Sequence, residues 1–206
     1  MDKNIEIEIR GPLSKEEFDN LVSFFEIEGK KTGEKDRVLI DYSTFLDDEI
    51  ENRKKDIRLR VTNGIPEIIV KLGSWGGTEH RKELSVFAKQ GDFDTLVEIF
   101  AALGFSKGVL CVRKSKVYEY KGIEFALVEV PGHSYYYEAE KMASTENDAN
   151  LILEEIRMVC RDLNLNIFDK DQFFEYIKKL NNESNEIFEH DYKIHNQRYF
   201  KERFNL

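Results

Sequence analysis

The chain has 206 residues, of which 41% are hydrophobic and 34% charged, and its formal net charge is −9 at pH 7. This size and composition predict one soluble globular domain with a substantial core, and the acidic balance argues against a nucleic-acid polymer as partner. Because the apolar runs are too short to span a membrane, no secretory signal precedes the first predicted strand and the two cysteines lack metal-ligand spacing, we expect a cytoplasmic protein with reduced thiols.

The charge is distributed unevenly along the chain. Residues 53–121 hold 14 basic and 8 acidic residues, whereas the segments on either side are strongly acidic. A basic island inside an acidic protein suits a small, highly charged anion better than a polymer that lies across the surface.

The N-terminal half reads as a strand, a helix and then several strands. The run IEIEIR at residues 5–10 alternates apolar and charged positions, as a strand does. Ser14 and Glu17 form a capping-box pattern in front of an amphipathic helix. Asn63-Gly64 is a strong hairpin signal. Further strands are predicted at residues 37–46, 56–62, 67–73 and 80–87.

The C-terminal half continues with a helix from Asp92, three strands and two more helices. The strands are predicted at residues 108–120, 123–131 and 135–142, and the last two helices at residues 146–163 and 172–180. We divide the chain into a domain at residues 1–180, which includes these helices, and a polar-aromatic helical tail at residues 181–206. The tail is interpreted as a docking helix or, alternatively, as a partner or homodimer contact.

Charged residues recur two positions apart in several predicted strands, so that they share one face of each strand. A solvated outer face is the ordinary explanation for one such strand. In five strands, the pattern favours a closed sheet with a polar interior and helices on its apolar outside. We therefore predict an α+β fold with an eight-stranded antiparallel β-barrel, which is wide enough for one small ligand. The charged positions are Glu6, Glu8, Arg10, Arg58, Arg60, Lys71, Arg81, Glu83, Lys114, Lys116, Glu138 and Glu140.

Such an interior needs compensating ligands, because unpaired buried charges are very unfavourable. Arginine forks and lysine ammonium groups bind phosphate oxygens, and glutamates bind hard divalent cations such as Mg²⁺. A cation would also bridge carboxylates and phosphates, which otherwise repel each other. The residues alone therefore favour a site for a metal ion and a polyphosphate.

In order and spacing over residues 4–141, these motifs resemble the CYTH domain family, also called the triphosphate tunnel metalloenzymes. The resemblance implies an eight-stranded tunnel in which basic residues bind a triphosphate and glutamates bind one or two Mg²⁺ or Mn²⁺ ions. The segments that carry it are Glu6-Ile-Glu8-Ile-Arg10, Arg58-Leu-Arg60, Lys71, Arg81-Lys-Glu83, Lys114-Ser-Lys116 and Glu138-Ala-Glu140.

The chain departs from the family pattern at three positions. Arg10 replaces the usual lysine, and Lys116 replaces an arginine. Val128 occupies the position of a family aspartate, where only its neighbour Glu129 is acidic. If Glu129 points outward, an interior acidic group is missing.

The leading hypothesis is a divalent-metal-dependent phosphohydrolase that acts on inorganic triphosphate, thiamine triphosphate or a nucleoside triphosphate. Glu83 is the candidate for positioning the attacking water. One alternative is a class IV-type adenylyl cyclase that forms cyclic AMP from ATP, in which Trp75 could stack on the base. The other is a non-catalytic polyphosphate- or nucleotide-binding module. The proposed phosphate ligands are Arg10, Arg58, Arg60, Lys71, Arg81, Lys114 and Lys116, and the proposed metal ligands are Glu6, Glu8, Glu138 and Glu140.

Overall fold

The computed structural model describes residues 5–46, 52–74, 78–195 and 198–206. Trp75, the candidate base-stacking residue, lies outside these ranges. In chain order the elements are β1 (Ile5–Leu13), α1 (Lys15–Glu28), β2 (Lys30–Asp41), a 3-10 turn (Ser43–Phe45), β3 (Lys55–Thr62), β4 (Ile65–Leu72), β5 (Thr78–Phe87), α2 (Phe93–Ala102), β6 (Lys107–Tyr120), β7 (Ile123–Val130), β8 (Ser134–Ala143), α3 (Glu146–Asp162), α4 (Lys170–Glu183), β9 (Glu186–Glu189) and α5 (Tyr199–Phe204).

Eight of the strands form a closed antiparallel barrel. They are hydrogen-bonded in the order β2-β3-β4-β5-β1-β8-β7-β6, and β2 pairs with β6 to complete the circle. The predicted α+β fold with an eight-stranded antiparallel barrel and external helices is therefore confirmed. Among the described helices, none has the length and apolar character needed to cross a membrane.

Local sequence signals fix the turns of this barrel. The Ser14 hydroxyl accepts a hydrogen bond from the Glu17 amide at 3.1 Å, and the Glu17 carboxylate accepts one from the Ser14 amide at 2.7 Å, so the predicted capping box is confirmed. Asn63 and Gly64 have φ angles of 49° and 82°, as a tight hairpin with two left-handed residues requires.

The apolar core lies outside the barrel, between the sheet and the helices. On one side, α1 and α3 cover β1, β7 and β8, with Ile7, Phe25 and Phe125 fully buried. On the other, α2 and α5 cover β2, β3 and β6, with Leu59 and Phe200 buried. Because alternate side chains of each strand point to opposite faces, this arrangement directs the charged rows into the barrel.

The tail differs from its predicted helical structure. Residues 186–189 form β9, which pairs antiparallel with the first part of β6. Of the tail residues that the structure describes beyond α4, only residues 199–204 are helical. β7 pairs with β6 from Lys114 onward, so the preceding part of β6 has an edge that β9 can extend. The tail packs onto α2, where the Phe200 amide donates a hydrogen bond to Asp94 Oδ1 at 2.7 Å.

Gly11 is required where β1 passes under the loop that follows α3. A Cβ atom there would lie 1.8 Å from the Asn166 carbonyl oxygen and 2.5 Å from the Tyr137 ring. We predict that Gly11→Ala lowers the free energy of unfolding by about 1–3 kcal/mol, as overpacking does. Gly33→Ala is the matched control, because a Cβ atom there meets nothing within 4 Å. Thermal unfolding measures both, and equal melting temperatures would contradict the packing account.

Candidate active site

Charged side chains from seven strands surround a cavity of about 110 Å³ inside the barrel, which we call the charged chamber. The pairing of β1 with β8 brings the first and the last charged motif of the chain together, because Glu8 lies opposite Glu140 and Arg10 lies opposite Glu138. The chamber is lined by Glu6, Glu8, Arg10, Lys35, Arg37, Arg58, Arg60, Lys71, Glu83, Ser115, Glu124, Ala126, Glu138 and Glu140.

Three glutamates form a carboxylate cluster in this chamber. Glu6, Glu8 and Glu140 each offer an oxygen atom, and these oxygens lie within 4.8 Å of one another. Burial raises the pKa of Glu8 to about 7, against the opposing charge of Arg10. Burial, together with the charges of Glu8 and Glu6, raises the pKa of Glu140 to about 8. The ionised forms of Glu8 and Glu140 are therefore unfavourable in this buried cluster unless further positive charge is present.

The residues of this cluster fit a hard divalent cation. Their donor atoms are all carboxylate oxygens, the ligands that Mg²⁺ and Mn²⁺ prefer. The raised pKa values of Glu8 and Glu140 mean that each carboxylate gains from a nearby positive charge, which a cation supplies as well as a proton. The geometry and the chemistry of the cluster thus both fit a divalent cation.

Glu138 lies beside this cluster and shares Arg10 with Glu8. Its Oε1 is 3.2 Å from Arg10 Nε. Although burial alone would raise the pKa of Glu138, the charges of Arg10 and Arg37 bring it below the ordinary value. Glu138 is therefore a stable carboxylate that orients Arg10, and the structure does not place it in the three-residue cluster.

Two cations sit among the interior glutamates and are shared by several of them. Lys71 Nζ lies 2.5 Å from Glu6 and 3.1 Å from Glu83. Arg10 Nη2 lies 2.5 Å from Glu8, in addition to its contact with Glu138. Negative charge thus exceeds positive charge at this end of the chamber.

Arginines occupy the neighbouring wall and are held by buried carboxylates that the sequence analysis did not single out. Asp56 binds Arg58 through Nε at 2.9 Å and Arg81 through Nη1 at 3.0 Å. Glu67 binds Arg60 at 2.5 Å. Arg81 is only 1% exposed and is not among the residues that line the chamber, and its contact with Asp56 helps to fix this carboxylate and, through it, Arg58.

Three further charged residues, which the sequence analysis did not single out, line the chamber. Lys35 and Arg37 belong to β2, which begins at Lys30 rather than at the predicted residue 37. Glu124 on β7 lies opposite Glu140, and its Oε1 is 2.8 Å from Lys35 Nζ.

Val128, at the position of the family aspartate, places an apolar side chain on the interior side of β7. Val128 is buried there with Val117 and Ala126, whereas Glu129 faces an outer cleft. The interior acidic group on β7 is therefore Glu124, four residues earlier than the family position. The alternation of side chains along β7 could have identified Glu124, because residues 124 and 128 are an even number of positions apart and therefore share a face of the strand.

Lys114 and Lys116 do not join the other predicted phosphate ligands, which is a correction to the sequence-based assignment. Both line an outer cleft, and the side chain of Lys114 is 58% exposed, with its Nζ 3.9 Å from Asp36. Their neighbours Arg113 and Ser115 point inward instead. The register of β6 thus places the odd-numbered residues inside the barrel.

A second cavity, also about 110 Å³, adjoins the charged chamber beneath α4, and we call it the aromatic chamber. The two cavities share Arg10, Arg37, Arg58 and Glu138. The rest of the aromatic chamber is lined by Leu39, Asp41, Thr44, Val109, Cys111, Arg113, Tyr136, Phe168, Phe173, Tyr176, Ile177, Leu180, Asn181 and Asn185.

Comparison with known proteins identifies the fold. A family model described as the CYTH domain matches residues 4–174. The PH1819 protein of Pyrococcus horikoshii OT3 aligns with a TM-score of 0.67 and 20% identity over 84% of this chain and 98% of that one. HpAC1 from Hippeastrum, an adenylyl cyclase candidate described as having a dominant triphosphatase activity, gives a TM-score of 0.51 and 14% identity over 81% and 90%. No curated protein matches the sequence significantly.

The carboxylate cluster predicts how stability depends on pH in the metal-free protein. Glu8 and Glu140 titrate near 4.5 without the fold, and near 7 and 8 within it. At these two residues the native state therefore binds more protons between these values, so their contribution to stability falls as the pH rises from 4.5 to about 8. Melting temperatures in a chelator, measured across this range, should decrease.

Two comparisons test the origin of this slope. The double variant Glu8→Gln/Glu140→Gln should flatten the decrease, and added Mg²⁺ should raise the melting temperature most at the alkaline end. A melting temperature that rises steadily to pH 8 in chelator, for the native sequence, would contradict the charge balance described for the cluster.

Proposed function

From the premise that the chain belongs to the CYTH domain family, we propose that it is a divalent-metal-dependent phosphohydrolase that acts on a triphosphate. The observation that carries this proposal is the joint lining of one chamber by a carboxylate cluster and a row of cations. β1 contributes to both, since Glu6 and Glu8 belong to the cluster and Arg10 is one of the cations.

The basic wall would bind the phosphate groups. Arg58 and Arg60 present guanidinium forks whose orientation is fixed by Asp56 and Glu67. Guanidinium groups match phosphate oxygens in a bidentate geometry, so preoriented forks lose little freedom when the anion binds. Lys35, Arg37 and Lys71 would complete the phosphate site.

The carboxylate cluster would hold the metal ion. Glu6, Glu8 and Glu140 are the proposed ligands, and Mg²⁺ and Mn²⁺ are the ions that suit them. When bound, such an ion supplies positive charge that offsets the charge on the transferring phosphoryl group. Glu124, beside Glu140, would hold Lys35 in place.

Glu83 is the proposed water-positioning residue. Although its burial alone would raise the pKa of Glu83, the charge of Lys71 and a hydrogen bond from its ammonium group bring it below the ordinary value. The group is therefore ionised at neutral pH and can accept a hydrogen bond from the attacking water. Lys71, 3.1 Å away, keeps the carboxylate oriented.

The phosphate site can be tested by comparing substitutions of cations that line the chamber with substitutions of cations that lie in the outer cleft. We predict that Arg37→Gln and Arg58→Gln each reduce kcat/KM about 10- to 100-fold, because each removes a charge-assisted contact with phosphate. Lys114→Gln/Lys116→Gln should change kcat/KM less than about twofold, since exposed charges contribute little. A larger loss in the lysine variant than in the arginine variants would contradict this placement.

The reaction itself is tested by product analysis. Tripolyphosphate, thiamine triphosphate, ATP and GTP are each incubated with Mg²⁺, Mn²⁺ or chelator, and orthophosphate and pyrophosphate are measured. We expect metal-dependent orthophosphate release that Glu6→Gln/Glu8→Gln abolishes. Glu129→Gln is the matched control, because this glutamate faces the outer cleft.

Each other outcome has a definite meaning. Pyrophosphate with cyclic AMP would identify a cyclase instead of a hydrolase. Tight triphosphate binding without turnover would leave a binding module, and release that is insensitive to chelator would contradict the metal site.

A further inference from the structure

We propose that the aromatic chamber binds a neutral, single-ring organic group attached to the triphosphate. This inference rests on the proposed function and names its substrate class: an organic triphosphate rather than inorganic triphosphate.

The two chambers adjoin each other at shared side chains. Arg10, Arg37 and Arg58 line both of them. A phosphate group bound by these arginines in the charged chamber would therefore have its ester substituent directed at the aromatic chamber. Inorganic triphosphate has no group to place there.

The wall of the aromatic chamber suits a flat ring. Phe168 and Tyr176 stack on each other with their ring centroids 5.2 Å apart and an interplanar angle of 27°. Cys111 and Ile177 add apolar surface. Aromatic and aliphatic side chains stabilise a ring by excluding water and by offset or edge contacts, neither of which a phosphate group can use.

The charges at this wall favour a neutral ring over a cationic one. Arg113 joins the three shared arginines there. The two carboxylates of the wall are already engaged, since Asp41 lies 2.8 Å from Arg53 and Glu138 lies 3.2 Å from Arg10. A ring with a fixed positive charge would therefore meet a net positive surface.

The size of the chamber limits the ring. At about 110 Å³ it is smaller than the ~150 Å³ cavity that holds benzene in a protein core and far below the ~300 Å³ of sites for drug-sized ligands. One six-membered ring is near the limit, and a purine nucleoside exceeds it.

Polar contacts hold α4 in place over the chamber, so the space is formed before a ligand binds. The Tyr176 hydroxyl lies 2.8 Å from Ser134 Oγ, and His133 Nε2 lies 3.0 Å from Glu183. Arg113 donates a hydrogen bond to Asn185 Oδ1 at 2.9 Å, just beyond the helix.

Binding and hydrolysis of four compounds test the inference. The compounds are phenyl triphosphate, with a neutral ring; thiamine triphosphate, with a cationic ring; ATP, with a larger group; and inorganic tripolyphosphate. Calorimetry without a divalent metal ion gives Kd, and phosphate release with Mg²⁺ gives kcat/KM. We expect phenyl triphosphate to bind at least about tenfold more tightly than the other three, a ratio that burial of one ring supplies.

Variants that fill the chamber should remove this preference. In Ile177→Trp and, from the opposite wall, Cys111→Leu, we expect phenyl triphosphate and tripolyphosphate to bind with Kd values within about twofold of each other. Ile187→Trp is the matched control, because Ile187 is exposed on β9, and the preference should remain. Circular dichroism identifies a variant that does not fold, in which case the other filling variant decides.

The outcomes separate this inference from the proposed function. Phosphate release from tripolyphosphate with no preference for phenyl triphosphate would overturn the inference and leave the hydrolase intact. Absence of release from every compound would contradict the hydrolase, and the calorimetric preference would still decide the inference. A preference that survives in both filling variants would overturn it as well.

Discussion

Ionised side chains inside a closed β-barrel have to be compensated within the barrel, because each uncompensated buried charge costs several kcal/mol. In this chain most of them are. Asp56 forms ion pairs with Arg58 and Arg81, and Glu67 forms one with Arg60. The exception is the carboxylate cluster, where neighbouring glutamates reinforce each other's unfavourable charge. This remaining imbalance, next to preoriented arginines, makes the chamber a site for a cation and an anion together.

The same constraint determines where the core lies. Since the interior is charged, the apolar residues of each strand must be buried on the outer face, which requires external helices. α1 and α3 cover one side of the barrel, and α2 and α5 cover the other. α4 has a different role: it closes the end of the interior with aromatic residues, such as Phe173 and Tyr176, and so adds an apolar wall to an otherwise charged space.

Sequence alternation predicted the barrel and those site residues whose strands have one apolar face. In β1 the isoleucines leave no doubt which side is buried against helices, so Glu6, Glu8 and Arg10 could be placed. In β6, Arg113 and Lys114 are adjacent, so their side chains point to opposite faces of the strand and both faces carry a cation. Because the outer face of this part of β6 borders an open cleft, alternation alone could not show which of the two cations lies inside the barrel. The partners of Asp56 and the aromatic chamber depend on contacts between distant strands and helices, which local patterns do not report.

Crystals grown with Mn²⁺ and tripolyphosphate, measured by anomalous diffraction, give the most direct test of the proposed site. We predict Mn²⁺ at about 2.1 Å from carboxylate oxygens of Glu6, Glu8 and Glu140, the distance typical of small hard divalent cations, with phosphate oxygens between the ion and Arg58. Mn²⁺ bound elsewhere, or triphosphate bound in the outer cleft beside Lys114 and Lys116, would contradict the account.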